Sequence, residues 1–260
     1  MKKTIITSVL IILLLAVLVF IYWYQRGDAL LVQPPSDFKQ SEDIVDNQPN
    51  NDFSSQIKQT IKNFMNDQSL NLTYVNTSKS PSNFSIGKVT VIGEGAWRMD
   101  TPDEWQRPVY IFDQQEYIDD LCEVYQYEID ARNGNIVEVH VVYPQDTQQL
   151  TTTERQEKCQ SYGSLYTPLK TEEEIKSIAM DYLSRNVDNF EAIQDDFTYT
   201  PSTKDAVNMA AAHEWIWQDT SYQLPEGLTG DVYNYPTIRI IFSSGGKLIA
   251  YFNTVGLFED

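Results

Sequence analysis

The sequence predicts an α+β protein on a membrane anchor. An N-terminal transmembrane helix precedes two repeated units, each one helix packed on an antiparallel β-meander. Three observations carry this reading. An uncharged, mostly aliphatic run of 21 residues spans Thr4 to Tyr24. Amphipathic helical patterns around Ile57 and Ile175 each precede a set of short alternating segments. The pairs Asn133-Gly134 and Gly245-Gly246, suited to tight hairpin turns, close the two sets.

Taken in order, the apolar run comes first. At about 1.5 Å per residue its helix spans roughly 31 Å, the thickness of a hydrocarbon core of about 30 Å. Lys2 and Lys3 precede it and Arg26 follows. The positive-inside rule then places the N-terminus in the cytoplasm and the chain beyond about residue 27 outside. Tyr22, Trp23 and Tyr24 suit an aromatic belt at the outer interface. A cleaved signal peptide would have a shorter apolar region and a small-residue cleavage site, and Tyr-Trp-Tyr-Gln-Arg offers none. The expected divisions are therefore anchor (1–26), linker (27–52), first unit (53–165) and second unit (166–260). Pro34-Pro35, Pro49 and scattered Asp, Asn, Gln and Ser make the linker.

Phe53, Ile57, Ile61, Phe64 and Met65 recur at helical spacing, with Asp52 or Ser54 as the expected cap. Residues 71–85 read as a polar loop. Strands are expected at Lys88–Ile92, Gly95–Met99, Val109–Phe112, Val124–Asp130 and Ile136–Tyr143. Thr171 and Glu174 form a capping-box start for a second helix whose stripe is Ile175, Ile178, Ala179, Tyr182 and Leu183. Strands at Glu214–Asp219, Thr237–Phe242 and Lys247–Asn253 complete the second unit. Ile57 and Ile175 lie 118 apart, as do Phe64 with Tyr182 and Trp97 with Trp215; Gly134 and Gly246 lie 112 apart. The tryptophan pair points to a core position in each unit.

The segment Tyr127-Glu-Ile-Asp-Ala-Arg-Asn-Gly-Asn-Ile-Val-Glu-Val139, behind a helix and a meander, resembles the closing hairpin of the PepSY family. Ile238-Arg-Ile-Ile-Phe-Ser-Ser-Gly-Gly-Lys-Leu-Ile-Ala250 keeps the hairpin without the Asp-Ala element. The resemblance covers residues 53–145 and 171–258 and implies cystatin-like α+β units. A membrane-tethered tandem pair is similar to bacterial cell-wall elongation regulators. The family's roles include inhibiting or chaperoning peptidases and modulating envelope enzymes or sensor kinases, and it offers no catalytic residues to carry over.

All 37 acidic residues follow the anchor, against 16 basic ones there, a net of −21. That field repels nucleic acid and anionic lipid surfaces. Cys122 and Cys159, on the oxidising side, suit one disulfide, with free buried thiols as the alternative. His140 and His213 stand in no metalloprotease motif, and neither a nucleophile elbow nor a phosphate loop occurs. Placing Gly134 at the sixth position of a calcium loop puts Ile129, Ala131 and His140 where carboxylates are required. The cluster Asp113, Glu116, Asp119, Asp120 and Glu123 reads as a solvated acidic loop, with a weak site for a hard cation as the alternative. No catalytic residue, cofactor or metal is expected. The expected function is an extracytoplasmic, membrane-anchored regulator of an envelope enzyme or sensor. The alternative is a glycan- or peptide-binding module using Trp105, in a Pro-flanked loop, with Tyr233 and Tyr235 in the 222–236 loop. Oligomeric state stays open.

Overall fold

Asn50, not Asp52 or Ser54, starts the first helix, α1 (Asn51–Met65): its side chain accepts a 2.9 Å hydrogen bond from the Phe53 N–H. Helix formation thus begins earlier, leaving Asp52 in the first turn, where its charge favours the helix dipole. These positions belong to a computed structural model that describes residues 48–93, 96–118, 122–144, 147–159, 169–202, 212–230 and 235–258. The Thr4–Tyr24 run and most of the linker lie outside them. Among the described residues no helix is long and apolar enough to cross a membrane.

The described chain is α+β, with four helices and antiparallel sheet. After α1 come β1 (Leu72–Ser78), β2 (Ile86–Gly93), β3 (Ala96–Asp100), β4 (Val109–Gln114), β5 (Val124–Asp130) and β6 (Ile136–Val142). Helices α2 (Thr152–Cys159), α3 (Glu172–Asn186) and α4 (Phe190–Ile193) follow. Then come β7 (Thr198–Ser202), β8 (Ala212–Gln218), β9 (Thr229–Gly230), β10 (Thr237–Ser243) and β11 (Leu248–Asn253). The capping box opens α3 as read: Thr171 N–H donates to Glu174 Oε2 at 2.8 Å and Glu174 N–H to Thr171 Oγ1.

Eight strands form one sheet in the order β1-β4-β5-β6-β11-β10-β8-β7. The order reads alike from both ends, four strands from each half meeting at β6 and β11. Across that seam Val139 faces Tyr251, with Glu138 opposite Phe252 and His140 opposite Ala250. Val139 and Tyr251 are themselves 112 apart, the spacing that relates the two hairpins. Phe64 and Tyr182, 118 apart, likewise touch, ring centroids 5.4 Å apart. A two-fold-like arrangement has this consequence: elements nearest the axis contact their own counterparts. Helices α1 and α3 bury Ile57, Ile61, Phe64, Ile175, Ala179 and Leu183 in one core with both halves of the sheet. Gly134 and Gly246 both have positive φ, 79° and 75°. A Cβ on Gly134 would lie 3.3 Å from Phe53; on Gly246 it would strike Lys170 at 2.6 Å.

Five elements were hidden in the sequence, the short α4 and β9 and three longer ones. Polar stretch 71–85 contains β1, an edge strand with a bulge between Tyr74 and Asn76, so its outward residues need no apolar partner. Strand β7 is the other edge and tolerates Pro201 there. Helix α2 buries only Cys159 and so shows no apolar stripe. The tryptophan pairing does not hold: Trp215 is 2% exposed in β8, whereas Trp97 is 59% exposed in a separate three-stranded sheet, β3-β2-β9. The counterpart of β8 is β4, so the β2–β3 hairpin is an addition to the first half.

Candidate functional site

Register brings together what sequence spacing separates. Glu128 on β5 stands directly opposite Glu138 on β6, and Gln126 opposite His140, two residues on. The neighbouring strands set Ile111 beside Glu128, Phe252 beside Glu138 and Ala250 beside His140. Two carboxylates are thus buried side by side, Glu128 at 0% exposure and Glu138 at 1%. Like charges directly opposite on a sheet oppose pairing, and burying each costs several kcal/mol unless compensated.

The β1–β2 connection supplies part of the compensation. Ser82 N–H donates to Glu128 Oε2 at 2.8 Å, and the Ser82 hydroxyl donates to Oε1. Asn83 Nδ2 donates to Glu138 Oε1 at 2.6 Å. His140 Nδ1 lies 3.0 Å from Glu138 Oε1. Within this cluster Glu138 Oε2 has no hydrogen bond among the described residues, and the His140 Nδ1 contact lacks hydrogen-bond geometry. One donor atom from each of Glu128, Glu138 and His140 falls within 4.8 Å of the others, so these residues can hold a metal ion.

Burial first, then the Glu138 charge, pushes the Glu128 carboxyl above its usual pKa, against the Ser82 bonds. Burial also raises Asp113, which accepts from Gln126 Nε2 at 2.8 Å. At His140 burial disfavours the imidazolium, but the adjacent Glu138 carboxylate, with Glu128 and Asp113, outweighs it and lifts the pKa above 6.5. All three groups bind protons more tightly in the folded chain. Their contributions to stability are therefore present at low pH, and decline as pH rises from the carboxylate range, or from about 6.5 for His140, through the folded values. The melting temperature is expected to rise as pH is lowered from about 8 to about 5.5, and to rise less in Glu128→Gln. Equal gains in both proteins would assign the effect to relief of general surface repulsion instead.

No family model, curated protein or solved structure matches this chain.

Apart from His140, the residues singled out in the sequence fall elsewhere. Trp105 is not an exposed platform. It is half-buried in a 3₁₀ turn, edge-on to Phe258 with the Arg107 guanidinium 5.1 Å from its ring. Arg107 in turn donates to the Leu257 carbonyl at 2.6 Å, tying that loop to the C-terminal turn. Tyr235 is half-buried, and Tyr233 lies outside the described residues. Cys122 and Cys159 are joined, Cα atoms 5.5 Å apart. Of the acidic cluster, Asp113 turns toward His140 while Glu116 binds the Asn71 side chain; Asp119 and Asp120 lie outside the described residues. His213 is held by the Tyr199 hydroxyl at 2.8 Å.

In the sequence His140 stands out only as a histidine in no metalloprotease motif and at a calcium-loop position that lacks a carboxylate, and Glu138 only as part of the closing hairpin. The available signal was a weaker one: Glu128, Glu138 and His140 occupy the non-core parity of two strands flanking one tight turn. Two further surfaces stand out. A cavity of about 550 Å³ opens where α1, α3 and the β5–β6 turn meet, lined by Asn63, Asn133, Asn186, Asn189, Asn253 and Arg185. The β2–β3 hairpin exposes Val89, Val91, Ile92 and Trp97.

Proposed function

We propose that this chain is a non-catalytic, membrane-anchored regulator outside the cytoplasmic membrane, built from two copies of one PepSY-like unit, which binds a protein partner through its β2–β3 hairpin. One observation carries this. Val89 pairs with Met99 and Val91 with Trp97, so these four side chains share one face of the ribbon. Lys88, Thr90, Arg98 and Asp100 occupy the other, polar face. Val91 is 78% exposed and Trp97 59%. A contiguous apolar patch on a two-stranded ribbon is costly in water and marks an interaction surface. Among the described residues β3 also has no strand on its outer edge, which a partner strand can extend by backbone hydrogen bonds. The apolar anchor run, the disulfide and the acidic surface support an oxidising location at the cell envelope. The matched register of the two hairpins about the seam supports the duplication. The partner is an envelope enzyme or sensor.

The test is photo-crosslinking in cells, from a benzophenone side chain at position 97 of the full chain. One specific envelope protein is expected in the crosslinked product. Val91→Asp combined with Trp97→Asp should abolish its capture with little change in melting temperature, since both sites are exposed. Binding to isolated cell wall without a protein partner would favour a glycan- or peptide-binding module instead. The asparagine-lined cavity is the observation that favours that second reading.

A further inference from the structure

We propose that Glu128, Glu138 and His140 form a binding site for a divalent transition-metal ion of the zinc or manganese kind. The inference is independent of the partner-binding reading, because the site lies on β5 and β6 and not on the β2–β3 hairpin.

The donors fit such an ion. One imidazole and two carboxylates suit zinc or manganese, whereas calcium takes six to eight oxygens. Donors bound at about 2.1 Å to a tetrahedral ion stand about 3.4 Å apart, so the three donors, now within 4.8 Å of one another, would draw in around it. Glu138 Oε2 is buried and has no hydrogen bond among the described residues, while the other oxygen of the same carboxylate lies 3.0 Å from His140 Nδ1. Ser82 and Asn83 occupy other lone pairs of the two carboxylates, which is how second-layer donors orient metal ligands. His140, only partly buried, gives an ion a route from solvent.

The second half shows that the fold does not require charge here. The register that pairs Glu128 with Glu138 and Gln126 with His140 pairs Ile241 with Ala250 and Arg239 with Phe252. Ala250 and Phe252, with Ile241 packed against them, form a small apolar cluster at the corresponding place. At the three equivalent positions one half has Ile241, Ala250 and Phe252, with Arg239 beside them paired to Glu214; the other has two carboxylates and an imidazole.

The test uses the full chain in detergent, without a polyhistidine tag, stripped by chelator and then offered zinc or manganese. After gel filtration the wild type should retain about one ion per chain and melt several degrees higher than the stripped protein. Glu138→Gln and His140→Ala should each lose the ion and the shift. Cobalt offered to the wild type should develop ligand-field absorption, a readout that needs no variant to fold. Failure of the wild type to retain either ion, or equal retention by both variants, overturns the proposal. The cluster would then be a buried carboxylate pair beside a histidine, held by Ser82 and Asn83.

Discussion

Replacing Cys122 and Cys159 together by serine is expected to destabilise the protein by about 4 kcal/mol, the chain-entropy value for a loop of this length. The bond spans a sequence separation of 37 and both cysteines are fully buried. Two local features add to its importance. Cys122 sits at φ 61°, a left-handed conformation that costs a non-glycine residue about 1–2 kcal/mol and persists only where its surroundings hold it. Helix α2 buries no residue except Cys159, so no apolar stripe would keep it docked once the bond is gone. In a domain of this size the loss corresponds to roughly 8–16 °C in melting temperature. Thermal unfolding of the double variant measures it, and limited proteolysis should cut first near α2. An unchanged melting temperature, with new cleavage there, would show that α2 lies outside the cooperative unit.

Tyr251→Ala is expected to cost about 3–5 kcal/mol, the range for removing a large buried aromatic ring. Tyr251 sits on β11 at the seam, opposite Val139, and its ring lies 4.9 Å from that of Phe64 on α1. It therefore packs the second half of the sheet against the helix of the first. Other ties cross the same boundary: the Tyr125 hydroxyl donates to the Leu248 carbonyl at 2.7 Å, and Arg132 donates to the Gly256 carbonyl at 2.9 Å. Because the residue serves both halves, amide-exchange protection should fall together in β4–β5 and in β8–β10. Loss confined to β8, β10 and β11 would mean that the halves unfold independently. Chemical denaturation with exchange read by mass spectrometry distinguishes the two outcomes.

Legibility in the sequence followed how much of its surroundings each element carried with it. The α1 and α3 stripes were readable because helical spacing places a whole buried face in one short window. The closing hairpins were readable because a tight turn with positive φ demands glycine at a fixed place. Strands β1 and β7 escaped because an edge strand buries one face and leaves the other polar. Trp97 was misplaced because coincident spacing does not distinguish a core strand from an added ribbon. The Glu128–Glu138–His140 cluster was missed because its members become neighbours only through strand register, and Ser82 and Asn83 reach them over 46 and 55 residues of sequence.

By itself the sequence determined the local periodicities: the helical stripes, the capping box, the strand alternation and the turn glycines, each set by bonds between near neighbours along the chain. It also determined the acidic charge and the candidate pair of cysteines. Only the tertiary structure decided that both halves share one sheet, that the β2–β3 ribbon stands with its apolar face in water, and that two carboxylates meet an imidazole in a buried row. Those outcomes depend on which strands pair and in what register. A shift of one residue turns every side chain of a strand to the opposite face, so pairing, not composition, selects what becomes core, surface or site.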